Sequence, residues 1–106
     1  CGRCFAWGGA RCNGWPVKGE PLTTDVSAPS APPILVIGTT HDPATPDSWA
    51  KALAAELGVG VYLNYNGDGH TAYLSGSETL DNAIDDFLID GVEPVSGTSY
   101  APGNQV

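Results

Sequence analysis

Two runs of strand-forming apolar residues alternate with two amphipathic helical patterns over residues 34–91. The first run, residues 34–37, is aliphatic and β-branched throughout and stands between prolines and a glycine, which is typical of a strand buried on both faces. The second run, residues 59–63, is followed by an Asn-Gly-Asp-Gly break at 66–69. We therefore predict two strands, each followed by a polar loop.

The helical patterns lie between and after these strands. The first predicts a helix over about 47–57, with Pro46 placed for the first turn and Gly58 as the stop. The second predicts a helix over about 78–89 with an apolar stripe on one face. The stripe consists of Leu80, Ala83, Ile84, Phe87 and Leu88.

The order strand, helix, strand, helix is that of a βαβα unit in a parallel sheet, so we predict the α/β class with this unit at residues 34–91. Residues 1–33 are rich in Cys, Gly and Pro and are predicted to form an irregular lead segment, and residues 92–106 are predicted to be a flexible tail. Two strands that are buried on both faces need further strands and helices beside them. The chain is therefore interpreted as a piece of a larger α/β fold.

Net charge indicates which classes of partner are excluded, and the cysteine content indicates the cellular compartment. The 106 residues carry 4 basic and 12 acidic side chains, a formal net charge of −8, and such a surface repels nucleic acids and anionic membranes. No apolar stretch approaches the roughly 20 residues that a membrane-spanning helix needs. The cysteines Cys1, Cys4 and Cys12 are odd in number, and we expect disulfide chemistry in an exported protein rather than a zinc site.

Ionisable side chains collect in the two loops that follow the predicted strands. Asp42 lies in the loop at residues 38–46, and His70 lies in the loop at residues 67–73. The carboxyl ends of adjacent parallel strands meet at one edge of a sheet, where open α/β sheets bind their ligands, so we expect these two side chains to lie close together.

An Asp followed by a His, each after a successive parallel strand, is the later part of the Ser…Asp…His order of an α/β-hydrolase. In that chemistry the carboxylate fixes the tautomer of the imidazole and stabilises the imidazolium, and the ring takes the serine proton and returns it to the leaving group. The order therefore predicts Asp42 as the acid and His70 as the base of a catalytic triad.

Other interpretations of the same residues stay open. An Asp before a proline and a His beside a glycine also occur as plain turn and loop residues, and a non-catalytic exported binding module is the non-enzymatic alternative. His41, Asp42, Asp68 and His70 could together hold a divalent metal, but they lack the i, i+4 spacing of helical ligands. We expect neither a metal nor an organic cofactor, and we expect Asp68 to be a turn residue.

A serine nucleophile of the expected kind is missing from the sequence. Ser99, in residues 97–101, is the near match to Gly-x-Ser-x-Gly, but it follows the histidine and runs into Pro-Gly instead of a helix. Cys1 as an N-terminal nucleophile is less favoured than Cys1 as a structural residue. We therefore expect the nucleophile to lie outside this chain.

Residues 32–46, the helical pattern at 49–58 and the segment 67–73 resemble the TAP-like C-terminal region of secreted α/β-hydrolases. The resemblance continues over residues 83–91 and reaches back to residues 12–16, so it covers most of the chain. Members of this family are serine exopeptidases similar to tripeptidyl aminopeptidases.

This resemblance implies that Asp42 is the triad acid and His70 the triad base of an enzyme that removes short peptides from free N-termini. It implies that the chain is the C-terminal part of an α/β-hydrolase sheet, with the serine and the oxyanion hole in a preceding part of the same protein. We expect the chain to be inactive alone and prone to self-association. A lipase or esterase of the same fold is the alternative, because substrate choice depends on residues outside the chain.

Overall fold

Three parallel strands form one sheet in the computed structural model, which describes residues 14, 16–17, 19–21 and 25–103. The strands are β1 (Ile34–His41), β2 (Gly60–Asp68) and β3 (Thr98–Tyr100), and the sheet order is β1-β2-β3. Cys1, Cys4 and Cys12 lie outside the described residues, and with them the predicted disulfide chemistry.

Two helices join and follow these strands. Helix α1 (Asp47–Leu57) connects β1 to β2, and helix α2 (Glu78–Asp85) follows β2 and continues as a π-helical turn at Asp86–Asp90. The α/β class with a parallel βαβα unit is therefore confirmed. None of the helices in the described part of the chain is both long and apolar enough to cross a bilayer.

Both predicted strands extend further than the local sequence indicates. β1 ends at His41 instead of Ile37, and β2 ends at Asp68 instead of Leu63, so that the Asn-Gly-Asp residues predicted to break β2 lie inside it. The parallel pairing runs from Ile34 opposite Gly60 to His41 opposite Asp68. Hydrogen bonds between the two strands stabilise extended backbone that the local turn propensity of these residues opposes.

The prediction of an unstructured segment after Gly91 is wrong for residues 98–100. These residues form β3, which pairs with β2 from Thr98 opposite Leu63 to Tyr100 opposite Tyr65. Tyr100 also packs against the buried core. A three-residue strand carries too little periodicity to be recognised in the sequence, because long-range pairing is what defines it.

Helix α1 begins and ends where its punctuation predicts. Pro46 occupies the N-cap position, and Gly58 adopts the left-handed conformation with φ 74° at the C-cap, as helix-stopping glycines do. The helix packs on one face of the sheet at two glycines. A Cβ on Gly60 would overlap the backbone of Ala54, and one on Gly38 would meet the side chain of Asp47. Glycine at both positions allows the close approach of helix and sheet.

The main core lies on the other face of the sheet, under α2. Its buried members are Leu63, Tyr65, Ala72, Leu80 and Ile84. The predicted stripe of α2 is therefore confirmed for Leu80 and Ile84, each of which contributes about 1.5–3 kcal/mol by burial. The prediction is wrong for Leu88, which is exposed. The α-helix ends at Asp85, and the wider π-helical turn that follows rotates later side chains off the stripe.

Candidate active site

Asp42 and His70 meet at the carboxyl edge of the sheet. Asp42 directly follows β1, and His70 follows β2 after the single residue Gly69. His70 Nδ1 lies 2.9 Å from Asp42 Oδ2 and 3.1 Å from Oδ1. The predicted proximity of the two side chains is confirmed, and their catalytic roles stay predictions.

The carboxylate of Asp42 is held by its own loop. Oδ1 accepts the backbone N–H groups of Ala44 at 2.8 Å and Thr45 at 3.0 Å, and Oδ2 accepts the Thr45 hydroxyl at 2.8 Å. The backbone N–H of Thr45 is the largest of the causes that hold the pKa of Asp42 well below its usual range, and these hydrogen bonds outweigh burial, which raises it. The side chain is 4% exposed. Asp42 is therefore a fixed, ionised acceptor at neutral pH.

The ionised state of Asp42 determines the tautomer of His70. A carboxylate only accepts hydrogen bonds, so the proton of the contact belongs to His70 Nδ1, and in the neutral ring the lone pair then lies on Nε2. The imidazole is 55% exposed, which leaves the ring accessible from solution. A neutral histidine with its lone pair on Nε2 and a carboxylate behind Nδ1 is the form that accepts a proton from a serine hydroxyl.

A β-bulge lies near the end of β2, directly before the loop that carries His70. Thr39 pairs with Tyr65 but His41 pairs with Asp68, so two steps on β1 oppose three on β2. Gly67 lies in the bulge, and a Cβ there would overlap the ring of Tyr65. The extra residue shifts the register of the two strands by one, so that Asp68 and not Gly67 lies opposite His41. The sequence prediction missed this bulge, because Asn-Gly-Asp-Gly at 66–69 is equally typical of a turn that ends the strand.

The four candidate residues form two separate pairs. His41 Nδ1 lies 2.9 Å from Asp68 Oδ1, and the side chains of His41 and Asp68 are 67% and 91% exposed. Asp68 ends β2 and pairs with His41, so the prediction of a simple turn residue is wrong. No group of three or more potential metal-ligating side chains is found among the residues described.

A polar network that the sequence did not reveal connects α1 to all three strands. Asn64 Nδ2 donates to Asp47 Oδ1 at 3.1 Å, and Ser99 Oγ donates to Asn64 Oδ1 at 2.7 Å. Asp47 also pairs with Lys51 at 2.7 Å and accepts the Tyr62 hydroxyl. Burial raises the pKa of Asp47, but these hydrogen bonds outweigh it and lower the pKa overall. Ser99, whose sequence context does not fit a serine nucleophile, is part of this network.

A cavity of about 490 Å³ lies beside Asp42 along the outer side of β1. Its lining includes Val36 of β1, Trp49 and Leu53 of α1, and Tyr73 of the His70 loop. Three of these apolar side chains, Trp49, Leu53 and Tyr73, are exposed. Within the described residues, β1 pairs with β2 alone, so the cavity runs along an open edge of the sheet.

Comparison of the sequence with known proteins identifies relatives of this chain. The model of the family described as TAP-like protein matches residues 1–100. The serine protease Hip1 of Mycobacterium tuberculosis is 40% identical over 86 residues, which are 81% of this chain and 16% of that protein. Carboxylesterase B of the same organism is 33% identical over 91 residues, which are 86% of this chain and 17% of that protein. The chain thus spans about a sixth of the length of these curated relatives.

Proposed function

The chain belongs to the TAP-like family of α/β-hydrolases, and on that premise we propose that Asp42 and His70 are two members of a Ser-His-Asp triad. The observation that carries the proposal is the contact of 2.9 Å between His70 Nδ1 and Asp42 Oδ2 at the carboxyl edge of two adjacent parallel strands. The chain is then the C-terminal portion of a serine hydrolase and contributes the acid and the base.

The proposed reaction follows from the protonation states of the pair. His70 Nε2 accepts the proton of the serine hydroxyl as the serine oxygen bonds to the substrate carbonyl carbon, and Asp42 stabilises the imidazolium through Nδ1–H. The imidazolium then gives that proton to the leaving group as the scissile bond breaks, which leaves an acyl-enzyme. Water repeats the sequence with His70 as base, and the acid product leaves with the serine restored.

The serine and the oxyanion hole are proposed to lie in an N-terminal part of the same hydrolase. Two observations support this: the curated relatives are several times longer than the chain, and exposed apolar side chains line the open edge of β1. An edge strand with an apolar border is a surface that another strand or another chain covers. The chain alone is then inactive and tends to self-associate.

We propose a peptide substrate and an aminopeptidase-type exopeptidase. The family resemblance and the name of one relative, a serine protease, support peptides, and the three cysteines support an exported, secreted enzyme. The name of another relative, a carboxylesterase, favours an ester substrate as the second candidate. Neither nucleic acid nor a membrane surface is a proposed partner, because the net charge is −8.

The test uses the complete polypeptide that carries this chain. Hydrolysis of tripeptidyl and aminoacyl anilides is compared with hydrolysis of acyl esters for the wild type and His70→Ala. We expect anilide cleavage that falls by about 10³-fold or more in His70→Ala. Faster turnover of esters than of anilides would favour the esterase. Undiminished hydrolysis by His70→Ala would contradict the triad, and no hydrolysis of either substrate by the wild type would favour a non-catalytic binding module.

A further inference from the structure

The loop that carries His70 contains two left-handed residues that are not glycine. Thr71 has φ 74° and Leu74 has φ 60°. Side chains with a Cβ disfavour this conformation, and a β-branched threonine disfavours it most. Residues in such conformations persist only where the surrounding structure holds them. The segment 71–74, directly after His70, therefore depends on contacts from elsewhere.

Helix α2 supplies several of those contacts, and the Tyr65 hydroxyl of β2 donates to the Ser75 carbonyl at 2.8 Å. The carboxylate of Asp81 accepts the backbone N–H of Leu74, with Oδ1 at 2.8 Å, and the carboxylate of Asp85 accepts the hydroxyl of Tyr73 at 2.8 Å. Ala72, between the two left-handed residues, is buried in the core that α2 covers. The helix thus holds the loop through one backbone hydrogen bond, one side-chain hydrogen bond and one buried methyl group.

The Asp81 contact acts on the backbone of a strained residue directly. Leu74 is 74% exposed, and its side chain contributes little packing that could hold its φ positive. A charge-assisted hydrogen bond to its N–H fixes the orientation of the peptide unit before it. Asp85, in contrast, holds the tip of a tyrosine ring that is itself exposed.

We propose that Asp81 is a positioning residue that keeps His70 in register with Asp42. This inference rests on the proposed role of His70 as the base. Within the described residues, the His70 ring forms hydrogen bonds to Asp42 alone, so the position of the ring follows the backbone of its loop. Without the Asp81 carboxylate, residues 71–74 relax toward ordinary φ values and Nδ1 leaves Asp42.

The experiment compares four variants in the complete polypeptide that carries this chain. Asp81→Ala removes the acceptor, whereas Asp81→Asn keeps an acceptor oxygen at the same place. Asp86→Ala removes the same charge from an exposed position that follows α2 directly. Asp81→Ala combined with Leu74→Gly lets a glycine adopt the left-handed conformation without help. The readouts are kcat/KM and the ¹⁵N and ¹H resonances of the His70 ring, assigned with His70→Gln, at a pH where the ring is neutral.

We expect Asp81→Ala to lower kcat/KM by about 10- to 100-fold, as small misplacements of a catalytic group do, and to lose the Nδ1–H tautomer signal. Asp81→Asn and Asp86→Ala keep the wild-type kcat/KM and the Nδ1–H signal. The double variant with Leu74→Gly recovers part of each. A normal Nδ1–H signal in Asp81→Ala would overturn the proposal. An equal loss of this signal in Asp81→Asn and Asp81→Ala would also overturn it. If Asp81→Ala unfolds, the double variant decides. Recovery of kcat/KM and of the Nδ1–H signal in the double variant supports the positioning role of Asp81, and no recovery overturns it.

The ring resonances also separate this inference from the proposed function. They report the contact between His70 and Asp42 whether or not the protein hydrolyses anything. An inactive wild type that shows the Nδ1–H signal, loses it in Asp81→Ala and keeps it in Asp81→Asn would refute the hydrolase and still support Asp81 as the positioning residue.

Discussion

Asp42 Oδ2 lies 2.9 Å from His70 Nδ1, although the two residues are 28 positions apart along the chain. The two sides of this contact are held differently. The acid is fixed by the N–H groups and hydroxyl of its own turn, whereas the base depends on a strained loop and on α2. The acceptor is therefore preorganised, and disturbance of the site is expected to appear first in the position of the imidazole.

Asp42→Asn is expected to keep the fold and abolish the proposed chemistry. The carboxamide retains an oxygen for the Ala44 and Thr45 N–H groups but also brings an NH₂ that favours the wrong tautomer of His70. We expect kcat of the complete enzyme to fall by about 10⁴-fold. Asp86→Asn is the matched control and should keep the wild-type rate. A fall of less than tenfold in Asp42→Asn would show that Asp42 is not the triad acid.

Acidification is expected to destabilise the protein through Asp42. The pKa of Asp42 is lower in the folded state than in the unfolded chain, so its ionised form stabilises the fold. This contribution to the free energy of unfolding is fully present above the unfolded pKa of about 3.9. It is lost as the pH falls from there through the folded pKa. Urea unfolding at pH 7 and at several values below pH 4 measures this loss. Asp42→Asn should show a smaller loss over the same interval, and an equal loss would assign the acid sensitivity to other carboxyl groups.

Gly67→Ala is expected to disturb both the bulge and the site. The added Cβ would overlap the Tyr65 ring, whose hydroxyl donates to the Ser75 carbonyl in the His70 loop. Overpacking of this kind costs about 1–3 kcal/mol, which urea unfolding measures. Gly19→Ala is the control, because an added Cβ there meets nothing within 4 Å. Equal stability of the two variants would mean that β2 accepts a side chain in its bulge.

Features of the fold with local signals were predictable from the sequence. The bounds of α1 follow from Pro46 and Gly58, whose backbone preferences act at one position. The proximity of Asp42 and His70 follows from the parallel direction of β1 and β2, which puts the carboxyl ends of both strands at one edge of the sheet.

Features set by pairing with distant strands were not predictable. The bulge at Gly67 forms because β1 and β2 continue to pair after Tyr65, as far as His41 and Asp68. Strand β3 forms because residues 98–100 pair with β2. The hydrogen bond from the Leu74 N–H to Asp81 likewise depends on where α2 packs, and no sequence signal marks a helical aspartate for that contact.

His41→Gln is expected to have a small effect. His41 and Asp68 are exposed, and an exposed ion pair contributes less than about 1 kcal/mol after screening by salt. We expect less than about a threefold change in kcat/KM, against the large loss in His70→Gln. The comparison is sharp because both histidines pair with an aspartate through Nδ1 at 2.9 Å. A large loss in His41→Gln would give the second pair a part in the reaction.

The isolated 106-residue chain is expected to self-associate or to be loosely packed. The open edge of β1 and the exposed apolar side chains of Trp49 and Leu53 favour association, whereas the net charge of −8 opposes it. Salt near 0.15 M screens charges beyond about 8 Å but leaves apolar contacts intact, so association should increase with salt. Sedimentation velocity at low and physiological ionic strength measures this balance.

Two variants locate the surface responsible. Trp49→Glu introduces a charge beside the cavity and should shift the chain toward monomer, whereas Leu88→Glu places the same charge on an exposed side chain outside the cavity lining and should have less effect. Equal effects would mean that association does not use the β1 edge. A monomer with a cooperative melt at both salt concentrations would contradict the proposal that this edge is covered by another part of a hydrolase, because the uncovered sheet would then be stable by itself.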